Sequence, residues 1–109
     1  MERSFESTAI AIGTGAGDPS DELKVADRAF GTVQFPAAMT GTKLVIEGSN
    51  DNGTTWGAIV DDDNVQLEIT KSDDDIKRIP SGAFGVALMR FKSDATELAE
   101  RTFLVHLES

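Results

Sequence analysis

Cysteine is absent from this 109-residue chain, and histidine occurs once, at His106. Without thiols there are no disulfides and no thiolate metal sites, and the redox compartment stays open. A single histidine excludes a two-histidine metal site within one chain. With no elbow-type serine in sight, it also gives a nucleophilic triad little to build on. Tyrosine is missing too, and the aromatic set is six Phe and one Trp. That composition furnishes a modest dry core rather than a face for sugars or bases. Basic residues are scarce, 10 Lys and Arg against 19 Asp and Glu, for a net charge of −9. Such a field repels a phosphate backbone, so nucleic acid is an improbable partner. No apolar run has the length of a membrane span, and the start MERSFESTAIAIG lacks the basic and apolar regions of a signal peptide. The expectation is a chain made in a cytoplasm, beginning at Met1 or Glu2, with no membrane and no cofactor among its partners.

What remains is a length sufficient for one domain with a single unstapled core. Its apolar residues alternate with period two almost throughout. Phe5, Ser7, Ala9 and Ala11 alternate with Glu6, Thr8, Ile10 and Ile12, a strand with mixed faces. A breaker with three glycines and a proline follows over residues 13–20. Further strands are expected at 23–25, 29–35 (closed by Pro36), 42–48, 56–60, 65–69, 76–79, 86–92 and 102–107. Eight or so short antiparallel strands separated by Gly, Pro and Asp clusters describe an all-β single-domain sandwich or jelly roll. Only residues 94–101 admit a helical turn, because Asp94 followed by Glu97 has the spacing of a capping box. The organisation expected is an N-terminal arm with a Gly-rich joint over 1–22 and a β-sandwich over 23–109.

Residues 49–56 read S-N-D-N-G-T-T-W and fit S-x-D-x-G-x-T-W, the pattern called an Asp box. Each residue type has a physical reason. Gly53 takes the positive φ of a tight hairpin, and Asp51 and Asn52 tolerate left-handed geometry. The Asp51 carboxylate can accept N–H bonds within the turn, while the Ser49 and Thr55 hydroxyls close its ends. Trp56 is expected to bury its ring and hold the hairpin down. One copy in a short chain argues against a propeller and against sialidase chemistry. The aspartate triplets 61–63 and 73–75 lack the ligand spacing of a calcium loop and read as solvated turns. No catalytic, cofactor or metal residues are assigned.

Over residues 36–44 the chain reads P-A-A-M-T-G-T-K-L, leading straight into the hairpin pattern. Residues 86–93 read V-A-L-M-R-F-K-S, and 101–105 read R-T-F-L-V. Together these segments resemble a recurrent small virion structural protein of tailed phages and prophages, over about two-thirds of the chain. That resemblance implies a β-sandwich that decorates or cements the phage head. It would sit on the capsid surface, bound to the major capsid protein and to copies of itself, as a homotrimer or another small symmetric cluster. The two Asp triplets and the glycines at 13–17 depart from the pattern, so no particular capsid contact carries over. Phe5, Ile10 and Ile12 are the candidate partner-contact residues of the arm, which would add as a strand to a neighbouring sheet; the alternative is a strand within its own sandwich. The rival function is a carbohydrate- or receptor-binding module of a phage fibre, with Trp56 as stacking platform. A small hydrolase is the third class.

Overall fold

The computed structural model describes residues 5–109. Alternating sequence becomes nine strands: β1 (Phe5–Ile12), β2 (Leu23–Lys24), β3 (Phe30–Gln34), β4 (Lys43–Ser49), β5 (Gly57–Ala58), β6 (Glu68–Thr70), β7 (Ile76–Arg78), β8 (Leu88–Ser93) and β9 (Arg101–Glu108). One 3-10 turn, Ser81–Ala83, is the helical content of the described residues. The strands form two antiparallel sheets, ordered β1-β9-β3-β7 and β2-β8-β4-β5, with β6 also paired to β4. The all-β, two-sheet architecture expected from period-two patterning is therefore the one observed.

Alternation decides what each strand buries. From the first sheet, Ile10, Ile12, Val33, Phe103, Val105 and Leu107 point inward and are buried. From the second come Leu23, Leu44, Ile46, Met89 and Phe91. Phe35 meets Phe103 edge to face, centroids 5.5 Å apart at 80°, the arrangement favoured by the ring quadrupoles.

The N-terminal run is a member of this sandwich. β1 pairs with β9 without interruption from Phe5↔Glu108 to Ile12↔Arg101. A turn at Gly15 and Asp18 follows, closed by Asp18 N–H to Gly15 O at 3.1 Å and Gly15 N–H to the Asp18 carboxylate at 2.8 Å. The chain then crosses to the second sheet, where buried Ser20 exchanges bonds with the Phe91 backbone. Residues 5–22 are thus built into the fold rather than set apart from 23–109 as an arm. The contact-residue expectation needs a matching correction: Ile10 and Ile12 are each 2% exposed and belong to the core. Their inward positions opposite Phe103 and Arg101 in the β9 register leave them nothing to offer a neighbour.

Residues 94–100 form bends instead of a helical turn, and Arg101 already begins β9. The reason lies more than fifty residues away. Asp94 accepts from Thr42 N–H at 2.7 Å and Lys43 N–H at 3.3 Å. Glu97 accepts from Thr40 N–H and Gly41 N–H, both at 2.8 Å, from the Ser93 hydroxyl at 2.6 Å and from Arg101 Nε at 3.0 Å. Both carboxylates are spent on the T-G-T segment, so neither caps a helix of its own. Gly41 is required by this close approach, since a Cβ there would lie 2.1 Å from Ser93 Oγ and 2.5 Å from Asp94 Oδ1. Burial alone would raise the Glu97 pKa. The Ser93 hydroxyl, the two backbone N–H groups and Arg101 outweigh it and hold the carboxyl at about 2.

Candidate functional site

The Ser49–Trp56 pattern folds as a tight turn held mainly by its own bonds, with Ala87 N–H donating to Asn50 Oδ1 from outside it. Ser49 Oγ donates to Asp51 Oδ1 at 2.8 Å and accepts from Gly53 N–H at 2.9 Å. Asp51 Oδ1 also accepts from Thr55 N–H at 2.8 Å. Asn52 and Gly53 take φ of +61° and +88°. Thr55 and Ser49 lower the Asp51 pKa by bonding its charged form. Trp56 departs from expectation. It is half-buried rather than core, its indole N–H bonds Gly53 O at 3.1 Å, and the Arg90 guanidinium lies 4.1 Å from a ring centroid. Arg90 of β8 covers one face of the ring, and the sequence around Trp56 carries no sign of it.

The aspartate triplets are likewise occupied by their own turns. Asp61 Oδ1 accepts from Asp63 N–H and Val65 N–H. Asp75 accepts from Ser72, and Lys71 pairs with Asp73 at 3.7 Å. Asn64 and Asp74 hold φ of +63° at the turn apices. Acidic and amide side chains suit such positions because they tolerate left-handed backbone.

The outer face of β1-β9-β3-β7 is different in kind. Register places Phe5, Ser7 and Ala9 opposite Glu108, His106 and Leu104, and Phe30, Thr32 and Gln34 opposite the same three from the other side. Ile76 follows opposite Gln34. Four of the seven exposed large hydrophobics among the described residues therefore share one face: Phe5 at 69%, Ile76 at 64%, Leu104 at 54% and Phe30 at 42%. Between them runs a shallow groove of about 400 Å³, lined by Ser7, Ala9, Thr32, Gln34, Ile76 and Leu104 among others. By register the ionisable side chains of the face are His106 in the middle and Glu108 and Arg78 toward one end. In a chain of net charge −9, this face is almost free of acids.

At its centre lies a contact that the sequence did not reveal. Ser7 Oγ is 2.7 Å from His106 Nδ1, and His106 Nε2 is 3.5 Å from Glu108 Oε2. The three residue types match a hydrolytic triad, and the geometry lacks what that chemistry needs. Ser7 stands exposed on a regular strand. Strand N–H groups lie in the sheet plane while side chains stand perpendicular to it, so no pair of donors converges where an oxyanion would form. The Nε2–Glu108 separation is also long for an orienting bond. The trio acts as a polar island in an apolar surface, with Phe5 packed 5.9 Å from the imidazole, centroid to centroid.

Only strand pairing gathers these residues, since Ser7 and His106 are 99 positions apart. The one local hint is Phe103-Leu104-Val105, three successive apolar residues that put a large side chain on both faces of β9.

No family model matches the sequence, and no curated protein matches it. Among solved structures, the chain is similar to the SPBc2 prophage-derived protein YomS, with TM-score 0.66 and 13% identity over 100% of this chain and 96% of that one. It also aligns with a chain of the Bacillus endospore appendages, disulfide-linked pili, with TM-score 0.47 and 6% identity over 98% and 85% of the two chains. At 13% identity the YomS likeness establishes a shared fold along the whole chain.

Proposed function

We propose that the protein is a non-enzymatic structural component of a tailed-phage virion, a decoration protein that coats and stabilises the outer surface of the head. The observation that carries this reading is the neutral, apolar outer face of β1-β9-β3-β7. Exposed hydrophobics scattered singly need no explanation, whereas several gathered on one sheet face around a small polar centre, with little charge, offer a preformed docking surface. Seating Phe5, Ile76 and Leu104 against a capsid protein would contribute about 1.5–3 kcal/mol for each side chain fully buried. Repeated over a regular lattice, that is ample for decoration. The acidic turns at 61–63 and 73–75 would remain in solvent and keep coated particles apart. The fold shared with a prophage-derived protein and the phage-like segments at 36–56 and 86–105 support a phage context.

Electron microscopy of purified protein mixed with heads and with tails of the encoding phage tests the reading. Ordered density at symmetric positions on the head is expected. Density confined to tails, or none on either, would reject it. Binding of glycans with quenching of Trp56 fluorescence would favour the fibre-module alternative.

A further inference from the structure

We infer that β1 pairs antiparallel with β1 of a second copy across a twofold axis at Ser7, joining two four-stranded sheets into one of eight. The inference starts from the sheet edges. A strand at an edge presents unpaired N–H and C=O groups, and natural proteins blunt such edges by shortness, Lys or Pro, inward-pointing charge or a covering loop. The ends of the second sheet obey this rule: β2 and β5 have two residues each and β6 three. So does β7, three residues long with Lys77 and Arg78 in it and Pro80 just beyond. β1 is the exception. It has eight residues, no Pro, no Lys and an unbroken register with β9, and its protection is confined to the two ends, where Glu6 places a charge on the inner side and Asp21 caps Ala11 N–H.

The register determines which groups are open. Ile79 N–H bonds Gly31 O, so Gly31 and Val33 face β7, while Thr32 and Gln34 face β9. In an antiparallel ladder, hydrogen-bonded and non-bonded pairs alternate. The even residues of β9 are thereby committed to β3, and its odd residues bond the even residues of β1. Phe5, Ser7, Ala9 and Ala11 must then direct their backbone groups to the open edge. Ala11 confirms the parity, because its N–H bonds the Asp21 carboxylate at 3.1 Å. Ser7 and Ala9 N–H have no such partner among the described residues. A groove of about 500 Å³ separates the inner side of this strand from residues 21–28, so no described segment packs along it there.

Charge and size then select one alignment. Centring the axis on Ser7 pairs Ser7 with its copy and Phe5 with Ala9 in both directions, giving three hydrogen-bonded pairs. On the inner side Glu6, which is 3.7 Å from Arg28, then lies opposite Thr8. Moving the axis toward the N-terminus by the smallest step that keeps odd residues paired sets Glu6 against Glu6 of the copy, a destabilising like-charge pair. Moving it the other way sets Phe5 opposite Ala11, whose N–H is already taken. In the favoured alignment each Phe5 ring lies over the small Ala9 of the other copy, with Leu104 next behind it. Large meets small twice, and the most exposed phenylalanine gains a packing site. The two apolar faces come to lie side by side as one doubled surface. The pairing itself does not depend on what that surface binds.

Light scattering on the eluting protein at high micromolar concentration should read a dimer. Because the chain contains no cysteine, Ser7→Cys introduces a single thiol. A hydrogen-bonded pair has Cα atoms about 5.5 Å apart, within disulfide reach after a small local adjustment, so oxidation should give a covalent dimer. Ala9→Cys should not link, since the two copies of residue 9 are four positions apart along the strands, roughly 13 Å. Ala9→Pro removes an edge N–H that β9 does not use, and should give a monomer with its melting temperature retained. A monomeric wild-type protein would overturn the inference, including one that associates only with a strand of a head protein. So would a dimer that Ala9→Pro leaves intact and Ser7→Cys fails to link. Equal linking by Ala9→Cys would reject the alignment.

Discussion

The two outer faces of this sandwich are built from the same kind of alternating strand and finished in opposite ways. On β4, β6 and β8, outward side chains answer one another: Lys43 pairs with Glu68 at 2.9 Å, and Glu47 takes Arg90 at 2.7 Å and Lys92 at 3.9 Å. Arg90 also covers Trp56. That face is complete in water. On β1, β9 and β7, outward Phe5, Leu104 and Ile76 meet solvent with little charge around them. The contrast separates hydrophobic residues that hold the fold together from those that leave most of their surface open to a partner.

Adjacent residues of β9 sharpen this most. Phe103 is buried against Phe35, while Leu104 is exposed. Phe103→Ala should cost about 3–5 kcal/mol by urea unfolding, as lost contact and cavity combine. Glu97→Gln comes next. It leaves Arg101 and the Thr40–Gly41 N–H groups without their carboxylate in a buried site, and should cost about 3 kcal/mol. The pH dependence has a definite sign. The folded pKa of Glu97, about 2, lies below its ordinary value of 4.5. Its contribution is therefore fully present above about pH 4.5 and is lost as pH falls toward 2, an effect of about 3 kcal/mol. Acid titration of unfolding should show that slope in wild type and a shallower one in Glu97→Gln. Arg90→Ala, which removes an ion pair and a cation–π contact from the finished face, should cost about 1 kcal/mol. Leu104→Ala should change stability by less than about 0.5 kcal/mol. A larger loss there would break the comparison, because Leu104 would then belong to the fold.

Local pattern made the strands legible. β3, β4, β8 and β9 lie where alternation in 29–35, 42–48, 86–92 and 102–107 puts them. The errors came from long-range pairing. Asp94 and Glu97 have capping-box spacing, yet their acceptors are used by Thr40–Lys43, so no helix forms. Trp56 stays half-buried because Arg90, from another strand, covers it. Ile10 and Ile12 sit where the β9 register sends them inward. The candidate face was the least legible feature. Each of four strands contributes one large apolar residue to its outer side, unremarkable alone, and only the order β1-β9-β3-β7 brings them together.

The most direct test is head binding by an Ile76→Ser/Leu104→Ser variant. The account predicts an unchanged melting temperature and a loss of affinity for heads of about 100-fold, since two buried apolar side chains at about 1.5 kcal/mol each amount to two powers of ten. A variant that decorates heads as well as wild type would contradict it, because the exposed apolar face would then not be what the head recognises.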